Sequence, residues 1–375
     1  MARLGDICTV NMGQSPDSAT YNEVGRGLPF FQGNADFGRL HPAVRVWCSE
    51  PTKIAHTGDI LISVRAPIGA MNVADQDCCI GRGLAAIQVN ENICDPQYLW
   101  YAIQSKVSDL NAKGTGSTFK AISKSTLTDT EVLLVPLDAQ KNIARVLSNV
   151  ENSILFRKEQ LSKLDELVKA RFVEMFGTYP DNPFGWNTGK IQDVVSNVRY
   201  GSSRPAVEGG KYPYLRMNNI TYAGELDLTD TKRIDVPDSE LDKCTVQRGD
   251  VLFNRTNSKE LVGKTCVYNR DDMMVLAGFV IRVRVNERIL PEFLVAFLNT
   301  AFSKQMLLRM CKTAIGQANI NAKEMQNIGL YIPPIALQEQ FVDLKKQTDK
   351  SKVEVQKALD QTQLLFDSLM QQYFG

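Results

Sequence analysis

Residues 173–186 of the chain read VEMFGTYPDNPFGW, and residues 369–375, which end it, read LMQQYFG. Both stretches close an apolar helical pattern with Phe-Gly. After the first of them, the chain starts a new segment with the NPFGW of residues 182–186. The middle of the sequence therefore resembles its C-terminal end, and this predicts an internal duplication.

The duplication extends through the whole chain. TGDILISVRAPIGAMNV (57–73) matches RGDVLFNRTNSKELVGKTCV (248–267), and each stretch carries an arginine, Arg65 or Arg255, after Gly-Asp and an aliphatic run. GSTFKAISKSTLTDTEVLLVPLDAQKNI (116–143) matches GQANINAKEMQNIGLYIPPIALQEQF (316–341). From Ile122 and Ile320 onward the offset is a constant 198 (320 − 122). We infer two copies of one sequence repeat, residues 1–177 and 178–375.

Each copy divides into a strand-rich part and one long helix. GDILISV and GDVLFN predict a turn that enters a strand, and LAAIQV and FVIRVRV predict further strands, the second alternating apolar residues with Arg282 and Arg284. PQYLWYAIQS and PEFLVAFLNT predict helices that begin at proline. The predicted domains are mixed α/β regions at 1–137 and 178–335, and long helices at 138–177 and 336–375.

The long helices carry a coiled-coil pattern. Steps of four and three residues from Ile143 to Met175 give eight apolar positions out of ten, interrupted by Arg157 and Arg171. The matching series from Phe341 is weaker, because it contains Lys345, Thr348, Lys352 and Thr362. We expect the two helices to pair as an antiparallel coiled coil with quasi-twofold symmetry, separating the two α/β domains at a fixed distance.

Composition restricts the function classes. Hydrophobic residues make up 43%, the net charge is +1, and there are eight cysteines without framework spacing. Residues 1–137 hold 11 basic and 13 acidic side chains, and residues 188–333 hold 20 and 16, so only the second region has a positive balance. The chain shows no signal-peptide pattern and no apolar run long enough for a membrane span. We therefore expect a cytoplasmic protein without a membrane partner.

Enzyme motifs are missing from the sequence. The two histidines, His41 and His56, have no metal or triad context, and there is no Cys-x-x-Cys pair. The glycine pairs GRG and GTG lack the further residues of a dinucleotide or phosphate loop. The sequence predicts a non-catalytic chain that binds no metal and no cofactor itself.

Polar clusters predict contact with DNA. YPYLRMNNI (212–220), NRTNSKELVGK (254–264) and GSTFKAISKS (116–125) place Arg, Lys, Asn, Gln and hydroxyl side chains in loops beside strands. Arg and Lys pair with guanine, Asn and Gln pair with adenine, and hydroxyls and amides bind phosphates. For a single Asn or Ser, filling a turn is the better interpretation. Recurrence of the clusters at matched places in both copies favours DNA recognition.

The whole arrangement resembles the DNA-specificity subunits of type I restriction-modification systems. The resemblance rests on GDILISVRAPIG, GDVLFNRTN, YPYLRMNNI, GQANINAKEMQNIGLYIPP with its partner GSTFKAISKSTLTDTEVLLVP, the helix starts PLDAQKNIA and PIALQEQFV, and NPFGW. It implies two target-recognition domains that each read one half of a gapped, asymmetric double-stranded DNA target. It also implies two methyltransferase subunits as partners, which carry S-adenosylmethionine, and a translocating endonuclease subunit for cleavage.

The resemblance also selects candidate DNA-binding residues on strands and loops of both copies. These are Gln32, Asn34, Arg65, Lys120 and Lys124 in the first copy, and Arg216, Asn218, Asn219, Arg255, Asn257, Lys259, Gln317 and Asn319 in the second. The first copy has no arginine at the position of Arg216, so we expect it to read its half-site with other residues.

Three other interpretations remain open from the sequence. The chain is alternatively a coiled-coil scaffold whose repeated domains bind proteins, or a self-contained methyltransferase or nuclease with an unusual site. Within the family, it is alternatively a spare specificity subunit that serves methylation only or the recombination of targets.

Overall fold

The computed structural model describes residues 1–116, 120–314 and 317–375, except for the side chains of 312–314 and 317. Contacts divide the chain into two compact units. Unit 1 comprises Met1–Lys158 and Lys357–Gly375, and unit 2 comprises Glu159–Gln356. Each unit thus contains one α/β region and parts of both long helices. The four predicted domain boundaries remain predictions.

Unit 1 contains three groups of paired strands. Its strands are β1 (Ala2–Arg3), β2 (Cys8–Met12), β3 (Tyr21–Asn22), β4 (Leu28–Phe31), β5 (Trp47–Cys48), β6 (Ile54–Ala55), β7 (Ile60–Ser63), β8 (Met71–Val73), β9 (Cys78–Ile80), β10 (Leu84–Val89) and β11 (Glu131–Val132). The sheet orders are β2-β10-β7-β8, β3-β5-β4-β9-β6 and β1-β11. Its helices are α1 (Leu4–Ile7), α2 (Pro96–Ser105), α3 (Val107–Ala112) and α4 (Lys124–Thr128), followed by the long helix α5 (Leu137–Phe176).

Unit 2 repeats this plan with one additional small sheet. Its strands are β12 (Asn187–Lys190), β13 (Val195–Tyr200), β14 (Tyr212–Leu215), β15 (Lys232–Ile234), β16 (Thr245–Val246), β17 (Val251–Asn254), β18 (Thr256–Asn257), β19 (Thr265–Val267), β20 (Met274–Leu276), β21 (Val280–Val285), β22 (Lys312–Ala314), β23 (Gln317–Asn319) and β24 (Gly329–Ile332). The orders are β13-β21-β17-β19, β15-β14-β20-β16, β18-β23-β22 and β12-β24. The helices are α6 (Asp238–Cys244), α7 (Pro291–Leu298), α8 (Ala301–Met310) and α9 (Ala322–Gln326). The long helix α10 (Ile335–Phe374) follows, and its residues from Lys357 onward belong to unit 1.

The predicted mixed α/β class, the tandem duplication and the long helices are confirmed. Helices α5 and α10 each have 40 residues and keep the offset of 198 at both ends. The turn before the first matched strand is the same in both units, because Gly58 and Gly249 both have φ of +91°, a conformation that favours glycine. Asp59 and Asp250, the residues that follow, are buried and accept backbone N–H groups from His56 and Gln247.

Strand β21 carries a buried arginine that its alternating sequence does not indicate. Arg282 of β21 is only 3% exposed, although its charge predicts a solvated face. In the register with β17 it lies opposite Leu252, which packs in an apolar cluster with Leu215, Cys266 and Leu276. Its guanidinium donates to the carbonyl of Thr245, and burial lowers its pKa. Both faces of this sheet are therefore covered, which alternation along a single strand does not reveal.

A buried glutamine attaches each long helix to its α/β region. Gln140 accepts from the backbone N–H of Asp95 (2.9 Å) and donates to the carbonyls of Ile93 (3.1 Å) and Val135 (2.8 Å). Gln338 is at the equivalent position in the second copy. It accepts from Leu290 N (2.8 Å) and donates to the carbonyls of Arg288 (3.2 Å) and Pro333 (2.8 Å). Both side chains are 0% exposed, so these bonds satisfy backbone groups that water does not reach.

Segments of α5 and α10 contact each other within each unit. In unit 2, Phe172 packs edge-on against Phe341, and Asp165 forms an ion pair with Lys352 (2.8 Å). A later residue of α5 thus meets an earlier residue of α10, so the segments run antiparallel here. In unit 1, Arg157 donates a hydrogen bond to Thr362.

The weak second seam has a structural reason. Lys352 reaches both Asp165 of α5 and Glu225 of the α/β region (2.9 Å), and its side chain is only 20% exposed. Lys345 pairs with Asp349 one turn later, at 2.6 Å. Thr348 is buried and donates to the carbonyl of Leu344 (3.0 Å). The polar positions of this series therefore serve ion pairs and hydrogen bonds in unit 2 instead of an apolar seam.

Candidate nucleic-acid interface

The sheet β13-β21-β17-β19 of unit 2 brings several predicted residues together where its strands end. Arg255 follows β17 directly, and its guanidinium lies over the ring of Tyr200 at the end of β13, 4.9 Å from the ring centroid. The same guanidinium donates to Asn319 Oδ1 (3.3 Å) and to the carbonyl of Gly278 (3.5 Å). Two predicted residues, Arg255 and Asn319, thus share one surface with an aromatic side chain that the sequence analysis did not select.

In the neighbouring loop after β14, some of the predicted residues are buried and stabilise the loop, and others are exposed. Arg216 is held by Asp230 at 2.9 Å, and its side chain is 26% exposed. Asn219 is 2% exposed, accepts from the backbone N–H of Arg216 (2.9 Å) and donates to the carbonyl of Asp227 (2.8 Å). These bonds give Asn219 the role of shaping the loop, while Asn218 beside it is exposed. Base contact by Asn219 stays a prediction that its burial does not favour.

The remaining candidates of unit 2 lie on β18, on the turn after it and on β23. Asn257 is half-buried, and its Oδ1 accepts from the backbone N–H of Ser258 (2.9 Å). Lys259 on the following turn is exposed. Gln317 begins β23, and its side chain lies outside the described residues. Their contacts with DNA stay predictions.

Two lysines of unit 2 donate hydrogen bonds to backbone carbonyls of its loops. Lys264 is 7% exposed and donates to the carbonyl of Met217 (3.0 Å), and burial lowers its pKa. Lys304 donates to the carbonyl of Gly263 (3.1 Å), and its ammonium group lies 5.4 Å from the centroid of the Tyr222 ring. Burial and the neighbouring Lys264 lower the pKa of Lys304 to about 8. Both ammonium groups bind backbone carbonyls, so they brace loops of the site.

Unit 1 forms its polar surface with different residues. Gln32 donates to Ser15 Oγ (2.9 Å), and the same hydroxyl accepts from the backbone N–H of Arg82 (3.3 Å). Gln32 and Arg82 are exposed, and Asn34 is half-buried at the start of a short 3₁₀ turn. Ser15 and Arg82 were not predicted. The sequence feature that could have identified them is a short Gly-containing polar segment directly after a strand. GQSP (13–16) follows β2, and GRG (81–83) follows β9.

Arg65 and Lys120 are also brought together in unit 1. Arg65 bridges to Ala121, the next residue donates its N–H to the carbonyl of Lys120 (3.0 Å), and both charged side chains are exposed. Lys124 is exposed at the first position of α4. The segment before Lys120, residues 117–119 of the GSTFKAISKS motif, lies outside the described residues.

The two arginines that follow the Gly-Asp motifs are not equivalent. Arg255 N donates to the carbonyl of Phe279 (3.0 Å), whereas in unit 1 the corresponding bond runs from Val64 N to Gly83 O (2.9 Å). Likewise, the carbonyls of Arg255 and Val64 accept from Ile320 and Ile122, which are 198 residues apart. Arg65 is therefore shifted by one residue from Arg255. A shift of one residue along extended chain reverses the face toward which a side chain points.

Two properties of residues 1–116, 120–314 and 317–375 bear on metal and membrane binding. Those residues contain no group of three or more His, Cys, Asp and Glu side chains that is arranged to hold a metal ion. None of the helices among them is both long and apolar enough to cross a bilayer.

Comparison with known families identifies the chain. The sequence model of the type I restriction modification DNA specificity domain matches residues 1–166 and 183–362. The chain belongs to this family. The two matched segments follow the two copies of the duplication, so the family resemblance drawn from the repeated motifs is confirmed.

Individual relatives agree with the family. The putative type I restriction enzyme MjaX specificity subunit of Methanocaldococcus jannaschii is 39% identical over 158 residues, which is 42% of this chain and 37% of that protein. The type I restriction enzyme EcoKI specificity subunit of Escherichia coli (strain K12) is 23% identical over 291 residues, 72% of this chain and 62% of that protein. The chain thus matches less than two thirds of the length of either relative.

Solved structures share the fold. The S subunit of a type I restriction-modification system from M. genitalium has 16% identity and a TM-score of 0.58, covering 100% of this chain and 95% of that one. A chain from a structure of type I R-M complex assembly and conformational transition has 18% identity and a TM-score of 0.62, with coverage of 99% and 96%.

Proposed function

We propose that this chain is the sequence-specific double-stranded DNA recognition subunit of a type I restriction-modification complex. Each α/β region reads one half of a gapped, asymmetric target. The observation that carries the proposal is the duplicated family match combined with the duplicated scaffold: both units end equivalent strands of a four-stranded sheet in polar loops. Such loops offer the donors and acceptors that base edges require.

The proposed assembly places the chemistry on partner subunits. Two methyltransferase subunits dock on the long helices and bind S-adenosylmethionine, and translocating endonuclease subunits join for cleavage, while this chain is non-catalytic. Exposed apolar side chains on the helices support docking: Leu167 on α5 is 50% exposed, and Leu365 on α10, 198 residues later, is also 50% exposed. Equivalent apolar sites on duplicated helices suit two copies of one partner.

The long helices act in this proposal as a spacer. An antiparallel coiled coil formed by α5 and α10 sets the length of DNA that is left unread between the half-sites. The contacts of Phe172 with Phe341 and of Arg157 with Thr362 support it, each within its own unit. We also propose that the complex works in the cytoplasm. The eight cysteines are free thiols and seven of them are buried, as suits a reducing compartment.

The test is co-expression with the methyltransferase subunit of the same host, followed by purification and mapping of methylated adenines in the host DNA. A stable complex of one chain with two methyltransferase chains, together with methylation at one gapped asymmetric motif, is the expected result. A chain that forms no such complex, in a host without a gapped motif, would instead fit the protein-binding scaffold. Methylation by the isolated chain would contradict the non-catalytic role.

A further inference from the structure

Three side chains of unit 2 lie at one end of the sheet β13-β21-β17-β19. Tyr200 is the last residue of β13, Arg255 follows β17, and Phe279 precedes β21, which lies between those two strands. We call these three residues the aromatic edge. Arg255 N donates to Phe279 O directly beyond the Asn254–Val280 pair that ends the ladder, so the backbones of Arg255 and Phe279 are adjacent. Phe279 itself lies in the turn that the bond from Val280 N to Ala277 O closes.

The aromatic edge is exposed but rigidly held. Phe279 is 54% exposed and Tyr200 is 43% exposed. The backbone around Phe279 is fixed, since Gly278 N donates to the carbonyl of Ser202 (2.7 Å) and Val280 N donates to the carbonyl of Ala277 (2.9 Å). Single exposed aromatic residues are ordinary on protein surfaces. Here, however, an exposed phenyl ring lies beside an arginine whose guanidinium is already oriented by Tyr200, Gly278 and Asn319.

We propose that Phe279 is a specificity-determining residue that contacts the 5-methyl group of a thymine in the second half-site, next to the base pair contacted by Arg255. The inference rests on the proposed function and deepens it. The thymine methyl is the apolar group that base edges present in the major groove, and phenylalanine is one of the side chains that recognise it. One hydrogen bond joins the backbones of Arg255 and Phe279, and successive base pairs lie about 3.4 Å apart, so the two side chains are close enough to reach neighbouring pairs.

The equivalent positions of unit 1 lack these groups. Hydrogen bonding and strand register place Met12, Val64 and Gly83 where unit 2 has Tyr200, Arg255 and Phe279. At Gly83 a Cβ atom would lie 2.5 Å from the backbone O of Gln32, so no side chain fits there. The methyl contact therefore belongs to the second half-site alone.

The experiment uses the full chain co-expressed with the methyltransferase subunits of its host. First, the wild-type complex selects its target from random duplexes, which tests the proposed function by itself. Then the selected duplex is prepared with each thymine of the second half-site replaced singly by deoxyuridine, which lacks only the methyl group. Binding is measured for wild type, Phe279→Ala and the control Phe184→Ala, since Phe184 is an equally exposed phenylalanine (53%) of unit 2 that lies away from the sheet edge.

We expect one deoxyuridine substitution to weaken wild-type binding about fourfold, the value of one buried methyl group. The same substitution has no effect on Phe279→Ala, while Phe184→Ala retains the wild-type penalty. An equal penalty in wild type and Phe279→Ala overturns the inference, and so does a second half-site without thymine. Increased fluorescence of 2-aminopurine at the contacted step, lost in Phe279→Ala, would mean base insertion and would also overturn it. A wild-type complex that selects no gapped target refutes the proposed function instead.

Discussion

Units 1 and 2 share a scaffold and differ in what they display on it. The bond from Val64 to Gly83 in unit 1 and the bond from Arg255 to Phe279 in unit 2 are the same backbone interaction with different side chains attached. The buried glutamines Gln140 and Gln338 repeat three hydrogen bonds each. Duplication has thus preserved the interactions that position the loops, whereas the exposed residues at the strand ends have diverged. Such divergence agrees with the proposed reading of two different half-sites.

Exchange of a whole recognition region tests this comparison with the largest expected effect. Replacing residues 1–137 by the corresponding region of another family member should abolish recognition of the first half-site and leave the second unchanged, because each unit presents its own loops. Mapping of methylated adenines in cells that carry the chimera measures this. A change in both halves, or in neither, would contradict modular recognition.

Shortening the helices tests the spacer. Deleting one heptad from α5 together with the matching heptad of α10 removes about 10 Å of helix and should shorten the unread gap while both half-sites are kept. The same mapping reports the gap. An unchanged gap would show that the helices do not determine it. The control is a full-length chain in which exposed residues of the same two heptads are substituted, which shows whether altered folding alone changes the gap.

The glutamine pair tests whether the two scaffolds are energetically equivalent. Gln140→Ala and Gln338→Ala each remove three hydrogen bonds and leave buried backbone groups without partners, which should cost about 3 kcal/mol of the free energy of unfolding. Urea denaturation of each variant, followed by circular dichroism, measures the cost. Equal losses are expected, and a loss confined to one variant would show that the repeated bonds are not equivalent.

The two arginines test the divergence of the surfaces. Arg255→Ala should weaken binding to the second half-site by about 1–3 kcal/mol, and Arg65→Ala should affect only the first half-site. Binding is compared on duplexes that carry a mismatch in one half-site at a time. If Arg255→Ala reduced affinity uniformly and removed about one unit from the salt dependence, Arg255 would be a phosphate contact instead.

Lys304 provides a test that belongs to unit 2 alone. Its pKa is lowered to about 8 in the folded protein, against an ordinary value of 10.5. Between these values the unfolded chain binds more protons, so this group makes stability rise with pH from about 8 to 10.5, and below pH 8 its unfavourable contribution is complete. Lys304→Met should remove that rise. Denaturation midpoints of wild type and variant at pH 7.5 and 9.5 measure it; parallel changes in both proteins would contradict the assignment.

The sequence by itself determined the duplication, the long helices and the family. The helices begin and end at the same offset because a period of 3.6 residues and the repeated Phe-Gly ends are local signals. The predicted strands around Leu84 and Val280 and the helices that begin at Pro96 and Pro291 were recovered for the same reason.

Only the tertiary structure decided which polar side chains face outward. Asn219 and Asn218 are neighbours in one motif. The side chain of Asn219 is buried and makes hydrogen bonds within the loop, whereas Asn218 is exposed. Arg255 corresponds to Val64 and not to Arg65, since the hydrogen-bond register, and not the resemblance of the motifs, sets the equivalence. Phe279 is apolar and belongs to no polar motif of the sequence. Only the order of the strands places it beside Arg255. Burial and register arise from contacts between residues that are distant in the chain, and a local pattern does not contain them.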